Sequence, residues 1–183
     1  MEITQKMVDY FYIRTNIHIN LVKKWYKRIV HKYTDIKIID VGIHDKSKFE
    51  EPEFTPYVHI TWMYKCKDEG VDYELPENTN IATAHHITTN RHHPEYWDKE
   101  FDPDSNLNHR NRDEVPENIV DATKMPIKYL VEMMADHMAM SEEKRTSLRE
   151  WEDKNIGKRW KFSKKQRDLI YELVDFYDNY IKR

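Results

Sequence analysis

The chain has 183 residues with a formal net charge of −3, 39% hydrophobic and 34% charged residues, and a mean hydropathy of −0.94. That length suits one domain burying roughly two-thirds of its unfolded surface, and five tryptophans among 13% aromatics supply its core, which excludes a disordered chain. The net charge excludes a dominant nucleic-acid footprint, and three glycines (Gly42, Gly70, Gly157) exclude the Gly-rich loops that cradle nucleotide phosphates.

The opening MEITQKMVDYFYIRTNIHIN has no basic segment leading into an uninterrupted apolar one, and no run of about 18 apolar residues occurs anywhere. A soluble, cytoplasmic protein with no membrane partner is expected. The single cysteine, Cys66, cannot close an intramolecular disulfide, which suits a reducing compartment.

Val8, Phe11, Tyr12, Thr15, His18, Val22, Trp25 and Ile29 recur at three- and four-residue steps, which predicts a long first helix over 5–32 with His18 inside its apolar face. Thr34 and Asp35 can cap a short helix over 35–44 that ends in the pair His44-Asp45. The run IKIIDVGI before that pair reads as core. Pro56, as a first-turn residue, opens a third helix through PYVHITWMYKCK, and Asn78 or Thr79 caps a fourth running to about 93, before Pro94. Residues 98–116, DKEFDPDSNLNHRNRDEVP, are polar and broken by Pro103 and Pro116, which predicts a loop or lid. Beyond it, Pro126 starts a helix through PIKYLVEMMADHMAMS, another covers 142–156 with Gly157 as its stop, and Ser163 with Gln166 forms a capping box for the last. No alternating strand of useful length occurs. The expectation is one all-α domain of six to seven helices.

Several hydrophilic side chains fall on these faces. His85, His86, His92 and His93 crowd one window, and seven residues make two helical turns, so His86 and His93 share a face while His85 and His92 share the adjacent one. Asp136 lies at helical steps from Tyr129, Met133 and Met140, where an unpaired carboxylate costs several kcal/mol if buried. A divalent ion answers these placements together, because neutral imidazoles and carboxylates are good ligands for manganese, iron, cobalt, nickel or zinc. His18, His44, Asp45 and Asp136 would converge on one ion. Histidines of the 85–93 segment would surround a second position, His86 and His93 by facing, His92 close behind and His85 weakest. The blander alternatives are an exposed histidine-rich face for 85–93, and for His44-Asp45 a cationic helix end beside a solvated acid. His31, His59 and His109 read as solvated or structural, His137 as pointing elsewhere on its helix, and Met133, Met134, Met138 and Met140 as core.

Taken in chain order, His18, the doublet His44-Asp45 and Asp136 in EMMADHMAM resemble the HD-domain superfamily of helical metal-dependent phosphohydrolases. His18 matches the first histidine, His44-Asp45 the name-giving doublet and Asp136 the closing aspartate. Lys48, in HDKSK, sits where several members carry a lysine that faces substrate phosphate, with Ser47 replacing the glycine common before it. The histidines of HHPEYWD are similar to those of members with two or three metals, including the HHExxD element of a cyclic-dinucleotide branch. Here Pro94 separates the pair from Glu95, and that branch's glycine-tyrosine-proline signature is missing. HDKSKF, HHITTNRHHPEYW and EMMADHMAMS together also resemble a family of phage and bacterial proteins with no assigned activity.

The superfamily resemblance implies an HD-like helical domain holding one or two divalent ions and hydrolysing a nucleotide or related small phosphate ester. Asp45 would bridge or orient the attacking water, Lys48 and Arg91 would balance the phosphate charge, and residues 98–116 would close over the substrate. Glu132, one turn before Asp136, is a candidate for holding ligands through carboxylate-imidazole contacts. Two alternatives stay open: an HD-type diiron oxygenase using His18, His44, Asp45, His86, His93 and Asp136, and a non-catalytic metal- or phosphate-binding module. A homo-oligomer is compatible with all three.

Overall fold

The Thr4 hydroxyl accepts the Met7 amide at 3.3 Å, satisfying one of the donors that a helix start leaves free, and α1 follows as Gln5–Lys32. The computed structural model describes residues 2–36, 38–77, 79–103 and 118–182. Further helices among them are α2 (Phe54–Asp68), α3 (Asn80–Thr89), α4 (Ile127–Lys144), α5 (Leu148–Asn155) and α6 (Lys164–Ile181). The fold class is all-α.

α1 is the central element, with α4 packed along it and α2 against its N-terminal half. Val22, Trp25 and Ile29 meet Leu130, Met133, Met134 and Met138 of α4, and Ile170, Leu173, Val174 and Tyr177 of α6 complete the core. Full burial of each such aliphatic side chain contributes about 1.5–3 kcal/mol. Three methionines of the stripe are thus core, while Met140 is half-buried. Met7, Phe11 and Val58 form a smaller apolar cluster with Phe49 and Phe54 packed against it. Tyr12, assigned by spacing to the buried face of α1, is 42% exposed.

Two short strands interrupt the helices. β1 (Val120–Asp121) and β2 (Trp160–Lys161) pair in parallel, with Val120 opposite Trp160. Gln166 ties α6 to the same region: its side-chain amide donates to the Ala122 and Met125 carbonyls at 3.2 and 2.8 Å, and its oxygen completes the capping box with Ser163.

Four local expectations are corrected. Among the described residues of 35–44 there is no α-helix; only Val41–Ile43 make a single 3-10 turn. Asp40 turns back on the chain there, accepting the Gly42 amide at 2.7 Å, a local bond that competes with helix propagation. The isoleucine run is also not uniformly core: Ile36, Ile39 and Val41 pack inward, while Ile38 and Ile43 are 70% and 63% exposed. α3 stops at Thr89 rather than near 93, because the Asn90 amide caps the His86 carbonyl at 3.0 Å and Pro94 biases His93 to extended backbone. The helix expected over 142–156 is two elements: α4 runs to Lys144, Arg145 adopts φ +55°, and Ser147 caps α5. Most of the expected lid (104–116), His109 and the Asn78 cap lie outside the described residues. Among the described residues, no helix is long and apolar enough to cross a membrane.

Candidate metal centre

Each part of the centre comes from a different element. α1 carries His18 on its buried face, α3 carries His86, the turn after α3 carries His92 and His93, and α4 carries Asp136. His44 and Asp45 sit between two 3-10 turns, where Asp45 takes φ +58°. A short polar side chain tolerates this left-handed geometry better than most, and the kink turns the carboxylate into the protein, leaving the residue 1% exposed.

Asp45 is the hub. Its Oδ1 lies 3.1 Å from His86 Nε2 and 3.7 Å from the Nε2 atoms of both His44 and His92. Its Oδ2 lies 3.7 Å from His18 Nε2 and accepts from Lys48 Nζ at 2.6 Å. Asp136 Oδ1 is 3.0 Å from His18 Nε2 and 4.0 Å from His44 Nε2. His93 closes the far side, its ring centroid 4.3 Å from His92 and 4.8 Å from His86. Three trios have donor atoms mutually within 4.8 Å: His18, His44 and Asp45; His44, His92 and Asp136; and His86, His92 and His93.

The donor set fits first-row divalent ions, and the hydrogen bonding points the same way. Among the described residues, Nε2 of His44, His92 and His93 and Oδ1 of Asp45 are buried without a hydrogen-bond partner, despite the close approach of His86 to Asp45. An unsatisfied buried polar atom costs about 1–3 kcal/mol, and ions between these four would satisfy them together.

A second layer of carboxylates sits on the outer nitrogens. Glu132 Oε1 is 3.0 Å from His44 Nδ1 and 3.7 Å from His92 Nδ1, Glu53 Oε2 is 2.8 Å from His86 Nδ1, and Glu143 Oε2 is 3.6 Å from His18 Nδ1. Where the contact is a hydrogen bond, at His44 and His86, a proton held on Nδ1 would leave the Nε2 lone pair free for a metal; the contacts of His18 and His92 at 3.6 and 3.7 Å are charge contacts only. Sequence reasoning missed Glu53, which is fully buried and also meets His85 Nδ1 at 2.7 Å and the Ser47 hydroxyl at 3.0 Å. In EEPEF it reads as one acid in a surface run, and no spacing marks it.

Burial and charge divide the imidazoles. Burial would lower the His18 pKa, but contacts with Asp136, Glu143 and Asp45 outweigh it and raise it to about 9. Burial, with the like charges of neighbouring histidines, holds His92 and His93 well below the usual range and therefore neutral. Burial works against ionised Asp45, yet Lys48, His44 and His86 keep its pKa well below the usual carboxylate value; His18, His44 and His92 do the same for Asp136.

The remaining histidines are placed elsewhere. His85 turns to Glu53 and is partly exposed, His59 is buried against the Tyr73 hydroxyl at 2.7 Å, and His31 is exposed. His137 points away from Asp136, pairing with Glu152 at 2.7 Å and stacking on Trp160. The centre meets solvent at Asp136 and Lys48, whose side chains are 16% and 17% exposed. Arg91 does not join Lys48 there: it donates to the Tyr129 hydroxyl at 2.7 Å in a cleft of about 360 Å³ that His44, His92 and Glu132 also line and Lys48 does not. With Glu132 in its wall and Nε2 of His44 and His92 buried, that cleft opens on the outer side of the two rings.

No curated protein and no solved structure matches the chain. The sequence pattern of a family of unknown function (DUF5662) matches residues 7–176, and the chain belongs to that family.

Proposed function

We propose that the chain is an HD-type metal-dependent phosphohydrolase acting on a nucleotide or related small phosphate ester. The observation that supports this most is the set of buried, unpartnered donor atoms on His44, His92, His93 and Asp45 gathered beside a lysine at the solvent edge. His18, His44, Asp45 and Asp136 would hold one ion, and His86, His92 and His93, with Asp45 between the two groups, a second.

When bound, such ions would polarise a phosphoryl oxygen and lower the pKa of a bound water toward about 7. The chain's own residues supply the rest. Asp45, ionised and fixed by its backbone kink, orients the water between the two groups. Lys48, already drawn to Asp45, offers an ammonium to the phosphate at the open edge. Glu132 and Glu53, hydrogen-bonded to Nδ1 of His44 and His86, hold the proton there and leave the nitrogens that face the centre free for an ion.

The diiron oxygenase reading is favoured by one feature, the three imidazoles of His86, His92 and His93, a donor set that suits iron. One experiment separates the two. Chelated protein reconstituted with Mn²⁺, Co²⁺ or Fe²⁺ is given a panel of nucleoside monophosphates and small phosphate esters, and released phosphate and dissolved oxygen are followed together. Hydrolysis predicts metal-dependent phosphate release with no oxygen uptake. Oxygen consumption with Fe²⁺ alone would overturn it in favour of the oxygenase, and metal-loaded protein inactive by both measures would favour the binding module.

A further inference from the structure

We infer that Glu132 is a positioning residue shared by both halves of the centre, so that one carboxylate sets the affinity of two metal positions. The inference rests on the two-position reading above and concerns how the halves are joined. His44 groups with His18 and Asp45, and His92 with His86 and His93, while the two also share a third trio with Asp136. Their rings pack together, centroids 4.3 Å apart, and both outer nitrogens face the same oxygen, Glu132 Oε1: His44 Nδ1 in a hydrogen bond at 3.0 Å and His92 Nδ1 in a charge contact at 3.7 Å. The other two carboxylates are not shared in this way. Among the ligand candidates of the described residues, Glu53 meets only His86 and Glu143 only His18.

Glu132 is also held firmly. It is 7% exposed and lies one turn before Asp136 on α4, a helix packed along α1, so its backbone moves with a ligand of the first half. An ion drawing electron density from His44 Nε2 makes the Nδ1 proton more acidic and strengthens its bond to Oε1. The carboxylate so fixed stands where His92 needs it. By linkage, an ion on the His92 side must favour the His44 side by the same factor.

The test is a Co²⁺ titration of metal-free protein, followed by the visible absorption of bound cobalt, on wild type, Glu132→Gln, Glu53→Gln and Glu143→Gln. Glu132→Gln is expected to weaken both stepwise affinities, each by about 10- to 100-fold, while Glu53→Gln and Glu143→Gln each weaken one. Glu132→Asp, which keeps the charge on a shorter arm, is expected to recover part of both and serves in place of Glu132→Gln should that variant not fold. One affinity reduced and the other intact in the Glu132 variants would overturn the shared role. Two unchanged affinities would overturn any positioning role. Wild type that takes up no cobalt would instead remove the two-position reading on which the inference depends.

Discussion

Glu53 offers the sharpest single perturbation, because its effect is confined to one half of the centre. Its carboxylate is fully buried and carries three contacts, to His86 Nδ1 at 2.8 Å, His85 Nδ1 at 2.7 Å and the Ser47 hydroxyl at 3.0 Å. Burial alone would raise its pKa, yet the His86 and His85 contacts lower it, so it is ionised when it holds them. Hydrogen bonds to a charged group contribute about 1.5–3 kcal/mol each. Glu53→Ala removes three of them but also removes the cost of burying the charge, so metal-free protein should lose about 2–4 kcal/mol of stability. His86 then loses the partner that fixes its proton on Nδ1, and loss of such a partner weakens metal binding about 10- to 100-fold, or about 1.4–2.8 kcal/mol. Zinc competition against a chromophoric chelator should show one of two affinities falling by that factor while the other changes less than about threefold. Equal loss at both positions, or none at either, would refute the assignment of His86 as an inward-facing ligand.

Two further outcomes follow from the electrostatics. Lys48→Ala should lower turnover of a phosphate ester by about 100-fold with metal content unchanged, as elemental analysis and steady-state kinetics can show together; metal lost with the lysine would contradict its role toward substrate. Metal-free protein should be most stable near pH 6.5. The His18 pKa is raised from 6.5 to about 9, so its contribution is complete below 6.5 and is lost as pH rises through 9. His92 and His93 are depressed below 6.5, so their unfolded forms take up protons first and stability also falls on the acid side. Thermal midpoints of chelated protein should therefore peak near pH 6.5, and a plateau from 6.5 to 9 would rule out the His18 contacts.

Much of this was legible in the sequence where periodicity carries the information. α1 over 5–32, the capping box of Ser163 and Gln166, and the inward placement of His18 follow from three- and four-residue spacing and cap chemistry. The convergence of His18, His44, Asp45 and Asp136 was readable from residue type and order, and His86, His92 and His93 do meet, though not by the helical facing expected of them. The chain leaves the helix at Asn90, and the turn brings His92 and His93 back toward His86. Periodicity has nothing to say about turns. It therefore failed at residues 35–44, where an Asx bond at Asp40 competes with the helix, and at Asp45, whose left-handed backbone no helical spacing signals. Glu53 was invisible for a related reason. Its partners lie on other segments, and a carboxylate at a helix start most often faces water.

The account stands or falls on whether ions occupy the space around Asp45. The measurement is metal stoichiometry by elemental mass spectrometry on tag-free wild type and Asp45→Asn, purified aerobically and after reconstitution with Mn²⁺, Fe²⁺ and Zn²⁺. Asparagine tolerates the φ +58° backbone while removing the hub's charge, so the variant should fold. The account predicts one or two first-row ions per wild-type chain and their loss from Asp45→Asn. A folded wild type that retains no ion even after reconstitution would contradict it.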